Sequence, residues 1–143
     1  LPDTKGDWTQ EISLIHNEGG HFIDQWVDLE VNAHNSSPWL KGLKRMHVPI
    51  RHGEGRMVLA DESLGQELLR RNLCAFTYSQ GAPNGSWHDV AGITDTTGRI
   101  LGMMPHPECF QFEEQDPRPR AAGSVPDGLG LFVNAVTFVR EIQ

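Results

Sequence analysis

Residues 90–108 read VAGITDTTGRILGMMPHPE and form the most informative stretch of the chain. Two segments with strand character, residues 90–94 and 99–104, flank the turn formers of residues 95–98. This pattern predicts a β-hairpin. The second strand runs directly into the sequence PHPE at residues 105–108. Loops that follow strands often display functional groups in α/β proteins, so we expect chemistry at this point of the chain.

The prolines restrict the backbone of the PHPE segment. Pro105 and Pro107 fix their own φ angles at about −65°, and a residue before proline is pushed out of the helical region. His106 is therefore expected to be extended. Side chains two residues apart in an extended chain point the same way, so Glu108 can accept a hydrogen bond from His106. An imidazole oriented by a carboxylate is the base half of a nucleophile triad. From spacing alone, the alternative is a proline-rich turn with two solvated polar side chains.

A second segment of interest is HGEGR at residues 52–56. It lies between two predicted strands, residues 46–50 and 56–60. Glycines on both sides of Glu54 allow a close backbone approach to a ligand or a positive φ angle. The alternative is a hairpin with charged side chains. A third segment, PNGS at residues 83–86, is a common turn sequence and indicates little by itself.

The rest of the chain predicts further strands and two helices. Strands are expected at residues 11–16, 25–32 and 73–79, the second of them from its clean two-residue alternation. Asp61 is expected to cap a helix that reaches about Asn72. Residues 105–127 contain five prolines and predict an irregular, functional connection. Residues 129–142 predict a helix with a broad apolar face that packs into a core. The class indicated is α/β.

Composition excludes several classes of protein. The net charge of −7 is the wrong sign for a general nucleic-acid or acidic-membrane binder. The sequence contains no apolar run of the roughly 20 residues that a membrane-spanning helix needs. The seven histidines match no metal-ligand spacing, so we expect no metal site. Cys74 and Cys109 form no disulfide framework, and Cys74 lies in an apolar strand pattern typical of an inert thiol. A reducing, cytoplasmic compartment is the simplest expectation.

The three motifs, taken in order and spacing, resemble class I glutamine amidotransferases. Within that group, HGEGR and PNGS, the latter followed by VAGI at residues 90–93, resemble the glutaminase domains or subunits of phosphoribosylformylglycinamidine synthases. The segments SLIHNEGGHF at residues 13–22 and SPWLKG at residues 37–42 are also similar to that family. The resemblance covers nearly the whole chain. It implies an α/β fold of the class I glutamine amidotransferase type, a flavodoxin-like open sheet with antiparallel additions.

The resemblance also implies a chemistry for the motifs. A cysteine thiolate attacks the side-chain amide of glutamine, with His106 as general base and acid and with Glu108 as the residue that orients it. His52, Gly53 and Glu54 match the segment that binds glutamine. Ammonia then passes to a synthetase domain or subunit that uses ATP and magnesium in purine biosynthesis. No cofactor is expected in this chain itself.

One departure from the family pattern is an absence. The Gly-x-Cys-x-Gly turn that carries the family's nucleophile does not occur in these residues. The interpretation is that residues 1–143 are the C-terminal part of one amidotransferase domain, incomplete at the N-terminus. We therefore expect the piece alone to be inactive and stable only beside the missing half or another covering partner. The alternatives are a non-catalytic assembly module that docks on a synthetase, and the glutaminase part of another amidotransferase.

Overall fold

The computed structural model describes residues 9–119 and 127–142. This part has a mixed α/β fold, in agreement with the predicted class. Its strands are β1 (Ile12–His16), β2 (Ile23–Val31), β3 (Arg45–His52), β4 (Glu54–Leu59), β5 (Cys74–Tyr78), β6 (Val90–Thr94) and β7 (Leu101–Met103), and its helices are α1 (Glu62–Arg70) and α2 (Asp127–Glu141).

The larger sheet has five strands in the order β3-β2-β5-β6-β7. All strand pairings within the described residues are antiparallel, so this part corresponds to the antiparallel portion of the expected fold. The predicted hairpin is confirmed, because β6 pairs with β7 and Ile93 lies opposite Gly102. The alternation of β2 is confirmed as well, since Val27 and Leu29 are buried and their neighbours are more exposed.

The strands β3 and β4 do not form the hairpin considered for the HGEGR segment. Only Gly53 separates them, but β3 pairs with β2, whereas β4 pairs with β1 in a separate two-stranded sheet. The chain therefore passes from one sheet to the other within the HGEGR segment. Local sequence does not specify this, because the paired residues of β3 and β4 lie 15 or more residues away along the chain.

The main core lies on the large sheet. Its most deeply buried side chains come from β2, β3 and β5 and include Leu29, Val48, Ile50 and Phe76. The predicted cap of α1 is also confirmed: the Asp61 carboxylate accepts a hydrogen bond of 2.9 Å from the backbone N–H of Leu64. This contact satisfies a donor that the first turn of a helix leaves without a partner.

The helix α2 differs from its prediction. Of its large apolar side chains, Leu131 is buried, with 2% of its surface exposed, whereas Val133, Val136 and Val139 are about half exposed at 50%, 52% and 49%. The expectation that the apolar face packs into a core holds within the described residues only for the side that carries Leu131, which joins the main core. Neither helix within residues 9–119 and 127–142 is long and apolar enough to cross a membrane.

The segment after β7 is irregular as far as it is described. It contains two short 3-10 turns, Pro107–Cys109 and Glu113–Gln115. Phe110 lies between these turns and is fully buried. The remainder of the predicted connection, residues 120–126, lies outside the described residues.

Candidate active site

The side chains of His106 and Glu108 are directly hydrogen bonded. His106 Nδ1 and Glu108 Oε1 lie 2.7 Å apart, as the extended PHPE geometry predicts. Pro107 stands between them and begins a 3-10 turn, with His106 as the residue before it. An ionised carboxylate accepts only, so Nδ1 carries the proton and the lone pair of the imidazole resides on Nε2. A histidine in this tautomer can accept a proton at Nε2 while Glu108 stabilises the resulting cation.

The backbone of His106 is held at the edge of the large sheet. Its N–H donates a hydrogen bond of 2.8 Å to the carbonyl of Pro49 in β3, and its own carbonyl accepts from Cys109 N–H at 3.1 Å. The first bond joins the PHPE segment to a strand more than 50 residues earlier in the chain. The position of the His106 backbone is therefore set by β3 as well as by the β6–β7 hairpin.

The Nε2 atom of His106 is buried and has no hydrogen-bond partner among the described residues. In particular, neither cysteine thiol is hydrogen bonded to this atom. Cys74 is buried, and burial raises the pKa of its thiol to about 11, so it stays protonated and a poor nucleophile near neutral pH. Cys109 is partly exposed and follows Glu108 directly. His106 is thus an oriented base with a free lone pair on Nε2. The described residues place no cysteine nucleophile beside it.

An open cleft of about 360 Å³ lies beside the pair. His106 and Glu108 line it together with Trp39, Met103 and Leu131. Its wall is largely apolar, and it lies between the end of β7 and the side of α2. A concave apolar site with a few convergent polar groups is the usual form of a small-molecule site.

His52 is buried close to this site rather than exposed in it. Two backbone carbonyls, those of His21 and His52, accept hydrogen bonds from Asn17 Nδ2 at 2.9 Å and 2.7 Å. The oxygen of the Asn17 amide is therefore left to accept from His52 Nδ1 at 3.0 Å. Burial, and then the charge that His106 carries when it is protonated, hold the pKa of His52 below its ordinary value. His52 is a neutral imidazole with its Nε2 lone pair buried and without a partner among the described residues.

Gly53 and Glu54 lie at the passage from β3 to β4. The carbonyl of Gly53 accepts a hydrogen bond of 2.9 Å from Asn17 N–H, and the Glu54 carboxylate lies 3.3 Å from His16 Nδ1 at an exposed position. The close approach expected at the two glycines occurs at Gly55. A side chain there would overlap the His52 ring, so Gly55 makes room for that ring rather than for a ligand.

The PNGS segment is joined to HGEGR by buried and partly buried hydrogen bonds. Asn84 Nδ2 donates to the carbonyl of Gly55 at 2.7 Å, and Arg56 Nε donates to that of Gly85 at 3.1 Å. Ser86 Oγ accepts from Met57 N–H at 3.0 Å. The two motifs are nearly 30 residues apart and form one unit that includes His52. The interpretation of PNGS as a simple turn does not predict this contact.

Asn17, Pro49 and Asn84 are site residues that the sequence did not single out. Asn17 and Asn84 look like turn formers in the sequence, and only their burial, 2% and 0% exposed, marks them as network residues. Pro49 contributes a backbone carbonyl, which no side-chain pattern reveals. Within the described residues, His, Cys, Asp and Glu side chains form no group of three or more that could hold a metal ion.

Curated proteins that share one name are similar to this chain. The phosphoribosylformylglycinamidine synthase subunit PurQ of Dehalococcoides mccartyi is 34% identical and matches 93% of this chain and 55% of its own length. The subunit of the same name from Methanococcus maripaludis is 37% identical and matches 99% of this chain and 59% of its own length. The chain thus spans little more than half the length of these curated relatives.

A solved structure and a family model agree with these relatives. The structure of PurLQS from Thermotoga maritima superposes with a TM-score of 0.69 at 27% identity, over 92% of this chain and 54% of the solved one. The model of the CobB/CobQ-like glutamine amidotransferase domain matches residues 1–139. Because that match covers nearly all of the 143 residues, the chain belongs to the family of CobB/CobQ-like glutamine amidotransferase domains.

Proposed function

We propose that the chain is the His106–Glu108 part of a glutaminase that supplies ammonia within a phosphoribosylformylglycinamidine synthase of purine biosynthesis. The observation that carries the proposal is the 2.7 Å hydrogen bond between His106 and Glu108 beside a buried, unpartnered Nε2. The names of the PurQ relatives support the choice of synthase. Ammonia would be used by a synthetase partner with ATP and magnesium, in the cytoplasm.

The reaction begins with proton transfer to His106. Nε2 takes the proton from a cysteine thiol, and the thiolate sulfur forms a bond to the amide carbon of glutamine. As the carbon–nitrogen bond breaks, the same Nε2 returns the proton to the departing ammonia, which leaves a glutamyl thioester. Water then hydrolyses the thioester to glutamate, with His106 again as the base. Glu108 stabilises the imidazolium in each step.

The nucleophile in this proposal comes from a segment outside these 143 residues. Cys74 has a raised pKa through burial, and neither thiol of the chain bonds to His106 Nε2 in the described structure. The backbone of Gly53 and Glu54 is proposed to bind glutamine. Buried His52 is proposed to support that segment through its hydrogen bond to Asn17.

The segment that brings the nucleophile is also proposed to cover exposed apolar surface. An apolar groove of about 290 Å³ lies between the two sheets and is lined by Leu14, Met57, Ile93 and Met103, among others. We expect residues 1–143 alone to associate or to lack a cooperative thermal transition in dilute solution, and the natural polypeptide that contains them to melt cooperatively. A cooperative transition of the monomeric 143-residue chain would contradict this part of the proposal.

The test of the proposed activity uses the natural polypeptide that contains these residues, assembled with its synthetase. His106→Ala should abolish activity with glutamine but leave activity with added ammonium salt intact, because the synthetase site is not touched. His34→Ala, at an exposed histidine, should change neither. If His106→Ala retains glutamine-dependent activity, the proposal fails. If the unaltered protein uses only ammonia, the chain is an assembly module.

A further inference from the structure

Two segments of the chain cover the outer edge of β3. In the described structure β3 is the last strand of the large sheet and pairs with β2 on one side. On its other side, His47 N–H donates to the carboxylate of Asp127 at 2.7 Å, and the carbonyl of Pro49 accepts from His106 N–H at 2.8 Å. Pro49 suits this edge because proline has no N–H to leave unpaired. The start of α2 and the PHPE turn are thus held side by side on one strand.

Gly128 is the point at which α2 contacts the PHPE turn. It is buried in the first turn of the helix, directly after Asp127. A Cβ atom at this position would overlap the backbone carbonyl oxygens of Pro107 and Phe110. Both obstacles are backbone atoms, so no side-chain rotation could relieve the overlap. A larger residue would have to displace either the helix or the turn that carries His106 and Glu108.

We infer that Gly128 is a positioning residue, which sets the location of the His106–Glu108 pair by letting α2 lie directly against the backbone of its turn. The inference rests on the proposed function of that pair. The turn contacts Pro49 on one side and Gly128 on the other. A methyl group added at Gly128 therefore shifts the His106 imidazole relative to its substrate. A misplacement of about 1 Å at a reacting group can reduce a rate about 100-fold.

The same helix offers a matched control two residues later. A Cβ atom at Gly130 would meet only the side chain of Leu43, at an ordinary contact distance of 3.6 Å. Replacing either glycine by alanine gives the helix the same gain in intrinsic propensity. Any difference between the two variants therefore reports on the contact of Gly128 with the turn.

The experiment compares Gly128→Ala with Gly130→Ala in the natural polypeptide assembled with its synthetase. For Gly128→Ala we expect kcat with glutamine to fall about 100-fold, with KM for glutamine and the activity with ammonium salt little changed. For Gly130→Ala we expect wild-type values throughout. Wild-type kcat in a folded Gly128→Ala protein would overturn the inference.

A second readout does not depend on activity. In the natural polypeptide labelled with ¹³C-histidine, the His106 imidazole signal is assigned by its loss in His106→Ala. It should shift in Gly128→Ala and stay in place in Gly130→Ala. An unshifted signal contradicts the positioning role. If His106→Ala leaves glutamine turnover intact, the proposed function fails, and the imidazole signal still reports whether Gly128 positions the ring.

If Gly128→Ala does not fold, Asp127→Ala replaces it. That variant removes the hydrogen bond from His47 N–H and so releases the start of α2 from β3. A shifted His106 signal together with a kcat reduced by about 10-fold or more, at unchanged KM, would support the inference. A wild-type signal and wild-type kcat in folded Asp127→Ala would overturn it.

Discussion

The side-chain amide of Asn84 donates a hydrogen bond of 2.7 Å to the carbonyl oxygen of Gly55, 29 residues earlier in the chain. The amide oxygen of Asn84 in turn accepts from Ser86 N–H at 3.1 Å. Asn84 is fully buried, so water cannot replace either bond. This residue joins the PNGS turn to the HGEGR segment, which begins with His52 and passes from one sheet to the other.

Replacing Asn84 should therefore destabilise the protein. We expect Asn84→Ala to lower the free energy of unfolding by about 1–3 kcal/mol, the usual cost of leaving buried polar groups without partners. Urea denaturation of the natural polypeptide measures this change. Thr96→Ala, in the exposed turn between β6 and β7, should stay within about 0.5 kcal/mol of the parent protein. Equal stabilities of the two variants would contradict the prediction.

Glu108→Gln should separate the charge of Glu108 from its shape. Glutamine still offers an oxygen to His106 Nδ1, but it cannot stabilise the imidazolium that forms in the reaction. We expect glutamine-dependent kcat to fall about 100-fold or more, with ammonia-dependent activity retained. Glu114→Gln, at an exposed position in the same loop, serves as control. Near-normal turnover in Glu108→Gln would show that the carboxylate charge is not needed.

His52 should make the stability depend on pH. Burial, and then the charge of His106 when it is protonated, lower the pKa of His52 in the folded state. The unfolded chain therefore binds a proton at a higher pH than the folded one, so the free energy of unfolding decreases as pH falls through the ordinary histidine pKa of about 6.5. His52→Asn should lose less stability between pH 7.5 and 5.5 than the parent does.

Urea denaturation of the natural polypeptide at the two pH values measures this difference. His34→Asn is the control, because His34 is exposed and its replacement should leave the pH dependence as it was. The interpretation of His52 as a buried neutral imidazole is wrong if His52→Asn and the parent lose the same free energy on acidification.

Phe110 and Phe112 offer a matched pair in the loop after Glu108. Phe110 is fully buried and meets Trp26 edge to face with ring centroids 5.1 Å apart, whereas Phe112 is 65% exposed. We expect Phe110→Ala to lower the free energy of unfolding by about 3–5 kcal/mol and Phe112→Ala by less than about 0.5 kcal/mol. Urea denaturation checks both, and comparable losses would contradict the burial that distinguishes them.

Much of the secondary structure followed from local pattern. The alternation of β2, the cap at Asp61 and the β6–β7 hairpin were predicted because each depends on residues within a few positions of one another. The hydrogen bond between His106 and Glu108 belongs to the same class, since two prolines restrict the backbone around them. The family resemblance was confirmed by the match to the amidotransferase domain.

The sequence could not predict which distant segments meet. The sequence was compatible with either a hairpin or a binding segment at HGEGR. It predicted a turn at PNGS and a core position for the apolar face of α2. The structure places β3 and β4 in different sheets, joins PNGS to Gly55 through Asn84, and buries only the side of α2 that carries Leu131.

By itself, then, the sequence determined the local geometry of this protein, because steric limits on φ and the two- and 3.6-residue periods act between near neighbours. It also determined the family, because the motifs are read in order along the chain. Only the tertiary structure decided that Pro49 holds the backbone of His106, that Asn17 fixes the tautomer of His52 and that Gly128 lies against the PHPE turn. Each of these contacts joins residues 20 or more positions apart, and it forms only when burial of the whole core brings them together.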